Sequence, residues 1–234
     1  MIKKDINQND ILNAELLNII DYNYIFNDKP INRIKTKPTL ENSLSKLEIL
    51  KSKIETIQNC DLRKNASKIV FGDGNIQSPI MIIGEGPGQK EDELGKPFVG
   101  DAGNLLNKML KAIKVQREKI YITNVVNYRP PNNRKPEQFE INRYSEYLKE
   151  HILIIDPKIL ILMGSTAMEA ILGGNKKISS ERGQWKEVII GKKNYKVIIT
   201  FHPAYLLRKP DQKKFSWEDL KIIRKEIDDQ NITI

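Results

Sequence analysis

Three carboxylates, two of them adjacent, sit inside a glycine-rich turn, in the run Gly84-Glu85-Gly86-Pro87-Gly88-Gln89-Lys90-Glu91-Asp92. Glycine lets a backbone approach a ligand closely or take a positive φ, and proline stiffens the same turn. Carboxylates held there suit acid, base or cation-stabilising work. Taken alone, the loop is equally well read as a sharp turn with solvated acids. A second loop runs from Asn124 through Arg129-Pro130-Pro131-Asn132-Asn133-Arg134-Lys135. The Asn124 amide both donates and accepts, so it can read a planar base that shows an N–H beside a C=O, or it can cap local backbone. Arg129, Arg134 and Lys135, spaced by prolines, suit phosphates or simply solvent. A third loop, Phe201-His202-Pro203-Ala204-Tyr205-Leu206-Leu207-Arg208, holds one of the chain's two histidines. The following proline fixes the direction of His202. Apolar residues beside an arginine suit a wedge entering a base stack, or an ordinary hydrophobic turn.

The elements that position these loops follow from periodicity. Apolar runs predict strands at Ile80 to Ile83, Ile120 to Val126, Ile159 to Met163, Val188 to Ile190 and Val197 to Phe201. Between them, Leu105, Leu106, Met109, Leu110 and Ile113 share one helical face. Further helices are expected from about Glu137, from Ser165 to near Gly173, and from Ser216. Alternating strands and helices predict an α/β fold, a three-layer α/β/α sandwich around a mainly parallel central sheet. Ligands in such sheets sit at the carboxyl ends of strands, where all three loops emerge. Leu40, Leu44, Leu47, Leu50, Ile54 and Ile57 mark another amphipathic helix, with Thr39 as its N-cap and core packing as its role. Residues 1–38 read as a polar extension with one apolar cluster at Ile11, Leu12, Leu16, Leu17 and Ile20. Residues 39–234 read as one domain.

The 234 residues carry a formal charge of +9, which favours a polyanionic partner, nucleic acid first. The lysines are also spread as on an ordinary solvated surface. No apolar run is long enough to span a bilayer, and Met1-Ile2-Lys3-Lys4-Asp5 lacks a signal-peptide core. A cytoplasmic protein without a membrane partner is expected. A single cysteine, Cys60, excludes an internal disulfide and a multi-cysteine metal site.

Together the loops resemble the family 4 uracil-DNA glycosylases. The resemblance rests on Gly84-Glu85-Gly86-Pro87-Gly88 with Glu91-Asp92, on Gly95-Lys96-Pro97-Phe98-Val99-Gly100, on Thr123-Asn124 with Arg129-Pro130-Pro131 and Asn133-Arg134, and on His202 to Arg208. It runs from about Leu62 to Leu220. It implies a monofunctional enzyme that flips deoxyuridine from DNA and hydrolyses the N-glycosidic bond, starting base-excision repair. By similarity, Phe98 stacks on uracil, Asn124 reads its N3–H and O4 edge, and His202 hydrogen-bonds O2. Glu91 is the best-matching carboxylate for the oxocarbenium-like sugar and the attacking water, with Glu85 and Asp92 as nearby alternatives. Gly86 stands where better-known uracil glycosylases place an aspartate. Backbone amides of Gly86 and Gly88 are expected on base or phosphate. Leu206 is expected as the wedge, and Ser165 with Thr166 as a phosphate site. Arg129, Arg134 and Arg208 are expected on the DNA backbone.

Members of that family usually hold an iron–sulfur cluster through four cysteines, and cluster irons need thiolates. Here Cys60 matches one position, while Ile57, Tyr128 and the neighbourhood of Arg143 match the others. The expectation is therefore no cofactor, with apolar and aromatic packing in its place. The acting species is expected to be a monomer, and uracil-containing DNA its partner. An inactive DNA-binding relative is the alternative. A Rossmann-like nucleotide binder is disfavoured, because neither the Gly-x-Gly-x-x-Gly spacing nor a P-loop occurs.

Overall fold

The computed structural model describes residues 40–174 and 176–233. The expected extension over residues 1–38, its apolar cluster and the Thr39 cap lie outside the described residues. The chain order is α1 (Leu40–Glu55), α2 (Asp61–Asn65), β1 (Asp73–Gly74), β2 (Ile80–Gly84), α3 (Gln89–Leu94), α4 (Asp101–Ala112), β3 (Tyr121–Asn124) and α5 (Gln138–Ile155). Then follow β4 (Ile159–Met163), α6 (Ser165–Leu172), α7 (Ile178–Glu181), β5 (Trp185–Ile190), β6 (Lys193–Thr200), α8 (Pro203–Arg208) and α9 (Lys213–Asp229).

The strands form one sheet in the order β1-β3-β2-β4-β6-β5. The inner four are parallel and the two edges antiparallel. β2 and β4 are buried along their whole length, as continuous apolar runs between two helical layers must be. Alternation along the strands sorts the core. Met81, Ile83, Leu160, Leu162, Val197 and Ile199 pack with α1, α5 and α6 on one face. Ile80, Ile82, Ile159, Ile161 and Ile198 pack with α4 and α9 on the other. That makes the expected three-layer sandwich. A slip of one residue in any inner strand would exchange the two faces, so the register is firmly held.

The register also sets the site. Gly84 pairs with Asn124, the last residues of β2 and β3. Met163 pairs with Thr200, the last residues of β4 and β6. Four strands thus end in one row, and the loops that follow share a rim.

Several boundaries differ from the sequence reading. β3 ends at Asn124, although Val125 and Val126 still donate backbone hydrogen bonds to the Gly84 and Glu85 carbonyls. β6 begins at Lys193, because its first half forms a hairpin with β5 that leaves Lys193 and Asn194 exposed. α9 begins at Lys213, not at Ser216. On α1 the buried line runs Ser43, Leu47, Leu50 and Ile54, and Leu40 and Leu44 face solvent. Two stretches read as loops are helices. α3 lies inside the glycine-rich segment and ends at Gly95 in the left-handed region, φ +73°. α8 follows His202, with Pro203 in its first turn.

Candidate active site

At the end of β2 the chain has no side chain, and two others use the space. A Cβ built on Gly84 would lie 2.4 Å from Asn124 Oδ1 and 2.5 Å from Phe98 Cζ. Glycine is therefore needed for the buried Asn124 amide and the Phe98 ring to meet over the strand end. Phe98 itself has φ +52°, a region that a bulky residue rarely occupies. The Phe98 ring stacks on that of His202, with centroids 5.4 Å apart and planes at 29°.

His202 caps α8. Its Nδ1 accepts a hydrogen bond from the Ala204 backbone N–H at 3.1 Å. That contact makes Nδ1 the acceptor, so the proton of the neutral ring sits on Nε2. Burial, helped by the positive charge of Arg208, pulls the His202 pKa down to about 4. At neutral pH the ring is an uncharged Nε2–H donor.

The carboxylates divide their work. Glu91, on α3, is buried, and its Oε1 accepts from Val99 N at 2.9 Å and Gly100 N at 2.8 Å. It ties the glycine-rich segment to the Phe98 loop at the start of α4. Glu85 reaches across to α6, where its Oε2 accepts from Thr166 Oγ1 at 2.5 Å. Asp92 is turned away: its Oδ1 accepts from the backbone N–H groups of Ser67 and Lys68 at 2.8 and 3.1 Å. Sequence reasoning offered Thr166 only as a phosphate ligand and gave Gly84 no role.

Between these groups lies a cavity of about 700 Å³. Glu85, Gly86, Gly88, Glu91, Phe98, Asn124, Ser165, His202 and Arg208 line it. Its size suits a single base and its sugar. A family model described as the uracil DNA glycosylase superfamily matches residues 71–222, which include every one of these side chains. The chain belongs to the uracil-DNA glycosylase superfamily.

Relatives within the superfamily are close. A type-4 uracil-DNA glycosylase from Thermotoga maritima is 42% identical over 163 residues, covering 69% of this chain and 83% of the relative. Type-4 uracil-DNA glycosylases from Sulfurisphaera tokodaii and Archaeoglobus fulgidus are 40% and 37% identical. Each alignment covers 77% of this chain, with 84% of the former protein and 92% of the latter.

Two of the expected DNA contacts on this uracil-DNA glycosylase fold stand apart from the cavity. Leu206 does not face solvent. It is 1% exposed and packs in the core with Phe201, Leu220 and Ile223. Because α8 is a helix, successive side chains diverge by about 100°, and the outward leucine is Leu207, 44% exposed. Arg129 lies off the cavity wall, its Nε donating to Asn133 Oδ1 at 2.7 Å. Arg134 does line the cavity, but its charge is already engaged. Two nitrogens donate to the two oxygens of buried Glu140, both at 2.7 Å, and Glu140 also accepts from Glu137 N at the start of α5. This fork makes Arg134 a brace for α5. Arg208 is exposed at the rim and makes no ion pair among the described residues.

The positions matching cluster ligands are packed solid. Ile57, Cys60 and Tyr128 are buried in one apolar cluster together with Tyr144. Cys60 Sγ lies 3.3 Å from Tyr144 Oη, a hydrogen bond. Arg143 instead donates to the Asn59 carbonyl at 2.9 Å. Burial pushes the Tyr128 phenol up to about 12 and the Tyr144 phenol further in the same direction. One thiol, already hydrogen-bonded, among an isoleucine and two neutral phenols does not fit a four-iron cluster.

Proposed function

We propose that this chain removes uracil from DNA as a monofunctional glycosylase, leaving an abasic site. The observation that carries the reading is the fixed tautomer of His202, beside Phe98 and Asn124 at the ends of adjacent strands. A deoxyuridine swung out of the helix places its ring on Phe98. The Asn124 amide accepts from uracil N3–H and donates to O4. Cytosine offers the opposite polarity along that edge and leaves the buried amide unpaired, which costs far more than a lost contact.

His202 Nε2–H meets uracil O2. As the N1–C1′ bond breaks, its electron pair passes to the base and negative charge spreads to O2. A neutral donor fixed in advance stabilises that charge by about 3 kcal/mol. The sugar left behind is oxocarbenium-like. Glu85 and Glu91 line the wall where a water can attack C1′. The water oxygen ends on C1′ and its proton is carried away with the base, giving uracil and a hemiacetal abasic sugar. Of the two carboxylates, Glu91 is the more committed to backbone amides, so its part includes holding the Phe98 loop. Arg208 and Ser165 on the cavity wall, exposed Leu207 next to Arg208 in the chain, and the net charge of +9 suit the DNA backbone and stack.

We take the acting species to be a monomer without an iron–sulfur cluster. One chain supplies every wall of the cavity, and the buried cysteine–tyrosine packing replaces the thiolate set. Among the described residues no helix is long and apolar enough to cross a membrane. An inactive relative has no observation in its favour, since the base-reading and charge-stabilising groups are all present. Assaying uracil release beside DNA binding tests this: binding without release overturns the proposed function.

A further inference from the structure

Phe98 carries the proposed base platform in a backbone conformation, φ +52°, that a bulky residue adopts only when its surroundings impose it. Those surroundings are two opposite charges. On one side, the Glu91 carboxylate takes the N–H groups of Val99 and Gly100. On the other, Arg117 takes the carbonyls just before them. Its Nη2 donates to Pro97 O at 2.7 Å and its Nη1 to Phe98 O at 3.0 Å. The same Nη1 reaches Asn107 Oδ1 on α4 at 3.0 Å, and Asp73 lies 3.7 Å from Nη2. Arg117 sits in the turn before β3, is 21% exposed and does not line the cavity.

We propose that Arg117 is the positioning residue that holds Phe98 flat against the entering uracil, acting only through the Pro97–Phe98 backbone. The inference rests on the reading that Phe98 stacks on the base. A guanidinium suits this task because its planar fork meets two successive carbonyls at once. An ammonium, a point donor on a flexible stem, holds only one of them well. Partial burial, offset by Asp73, depresses the Arg117 pKa, yet the group stays charged at any working pH.

The test is a mutant cycle on uracil excision under enzyme excess, using Arg117→Met, Arg117→Lys, Phe98→Ala and the Arg117→Met/Phe98→Ala double variant. Arg117→Met is expected to slow excision about 10-fold or more, as small misplacements of reacting groups do. Affinity for a uracil-free oligonucleotide is expected to stay within about 2-fold, because no DNA contact is removed. In the Phe98→Ala background the same change is expected to cost less than about 2-fold, since the ring it positions is gone. Arg117→Lys should fall between the parent and Arg117→Met, and it keeps the test open if the methionine variant does not fold. Equal fold-losses in both backgrounds, or parallel loss of binding to uracil-free DNA, overturn the proposal. No uracil release by the unaltered protein instead overturns the underlying reading of the function, so the two failures are distinct.

Discussion

The Nδ1 of His202 accepts the backbone N–H of Ala204 at 3.1 Å, and this one bond decides what the histidine can do. It leaves the Nε2 proton as the only donor of a neutral ring. Pro203, between the two residues, supplies no N–H of its own and starts the helix whose first N–H, that of Ala204, makes the bond.

The pH dependence of the rate follows. With the His202 pKa pulled down to about 4, the neutral ring persists well below the ordinary histidine range. The acid limb of kcat/KM that belongs to His202 is expected near pH 4, with a flat rate from about pH 5 to 7. Rate measurements under enzyme excess check it, and a limb near the unperturbed value of about 6.5 contradicts a buried neutral donor. His202→Ala is expected to lower the rate about 100-fold or more with little change in DNA affinity.

Stability should also respond to acid. His151 is fully buried, hydrogen-bonded to Tyr121 Oη at 2.9 Å and stacked on Phe71, and burial pulls its pKa down to about 3. For both histidines the folded state binds protons less readily than the unfolded chain. Their contribution is therefore complete above pH of about 6.5 and is lost as pH falls toward the folded values. The melting temperature is expected to drop steadily between pH 6.5 and 4. A constant melting temperature over that range would count against both burials.

Asn124→Asp exchanges the amide that both donates and accepts for an acceptor-only carboxylate. Uracil excision is expected to fall about 100-fold or more, and the preference for uracil over cytosine to narrow. Competition between matched oligonucleotides reads both numbers. An unchanged preference would remove Asn124 from base reading.

Gly84→Ala places a methyl group within 2.5 Å of both Asn124 Oδ1 and the Phe98 ring. The strand remains, so a stability loss of about 1–3 kcal/mol is expected from overpacking. Excision should fall much further than that loss implies, because the two base-contacting groups are pushed apart. Comparing the melting temperature with the single-turnover rate separates the effects.

The buried cluster of Cys60, Tyr128 and Tyr144 predicts a colourless protein without stoichiometric iron, whose activity survives chelators. Tyr144→Phe removes the hydrogen bond to Cys60 and should cost about 1 kcal/mol. A brown preparation with visible absorbance contradicts the packing account.

Much of this was legible in the sequence. β2 and β4 stood out because strands buried on both faces are continuous apolar runs. The rim was legible because such sheets gather their loops at one edge. The helical state of Pro203–Arg208 was less so, although a polar cap followed by proline is a start signal. The resemblance put the wedge at Leu206, which the helix turns inward. Arg134 was expected on the DNA backbone and Arg117 drew no reading, since nothing local shows that one pairs with Glu140 and the other grips Pro97 and Phe98. Their partners are fixed by tertiary packing, which periodicity does not report.

The central claim is that Phe98, Asn124 and His202 converge on one slot that accepts uracil. It is tested most directly by incubating excess purified protein with an oligonucleotide holding a single deoxyuridine and scoring alkali-labile abasic sites. Matched oligonucleotides holding thymidine or deoxycytidine serve as controls. The account predicts a break at deoxyuridine alone, lost in His202→Ala and Asn124→Asp. An intact deoxyuridine strand after prolonged incubation, with DNA demonstrably bound, would contradict it.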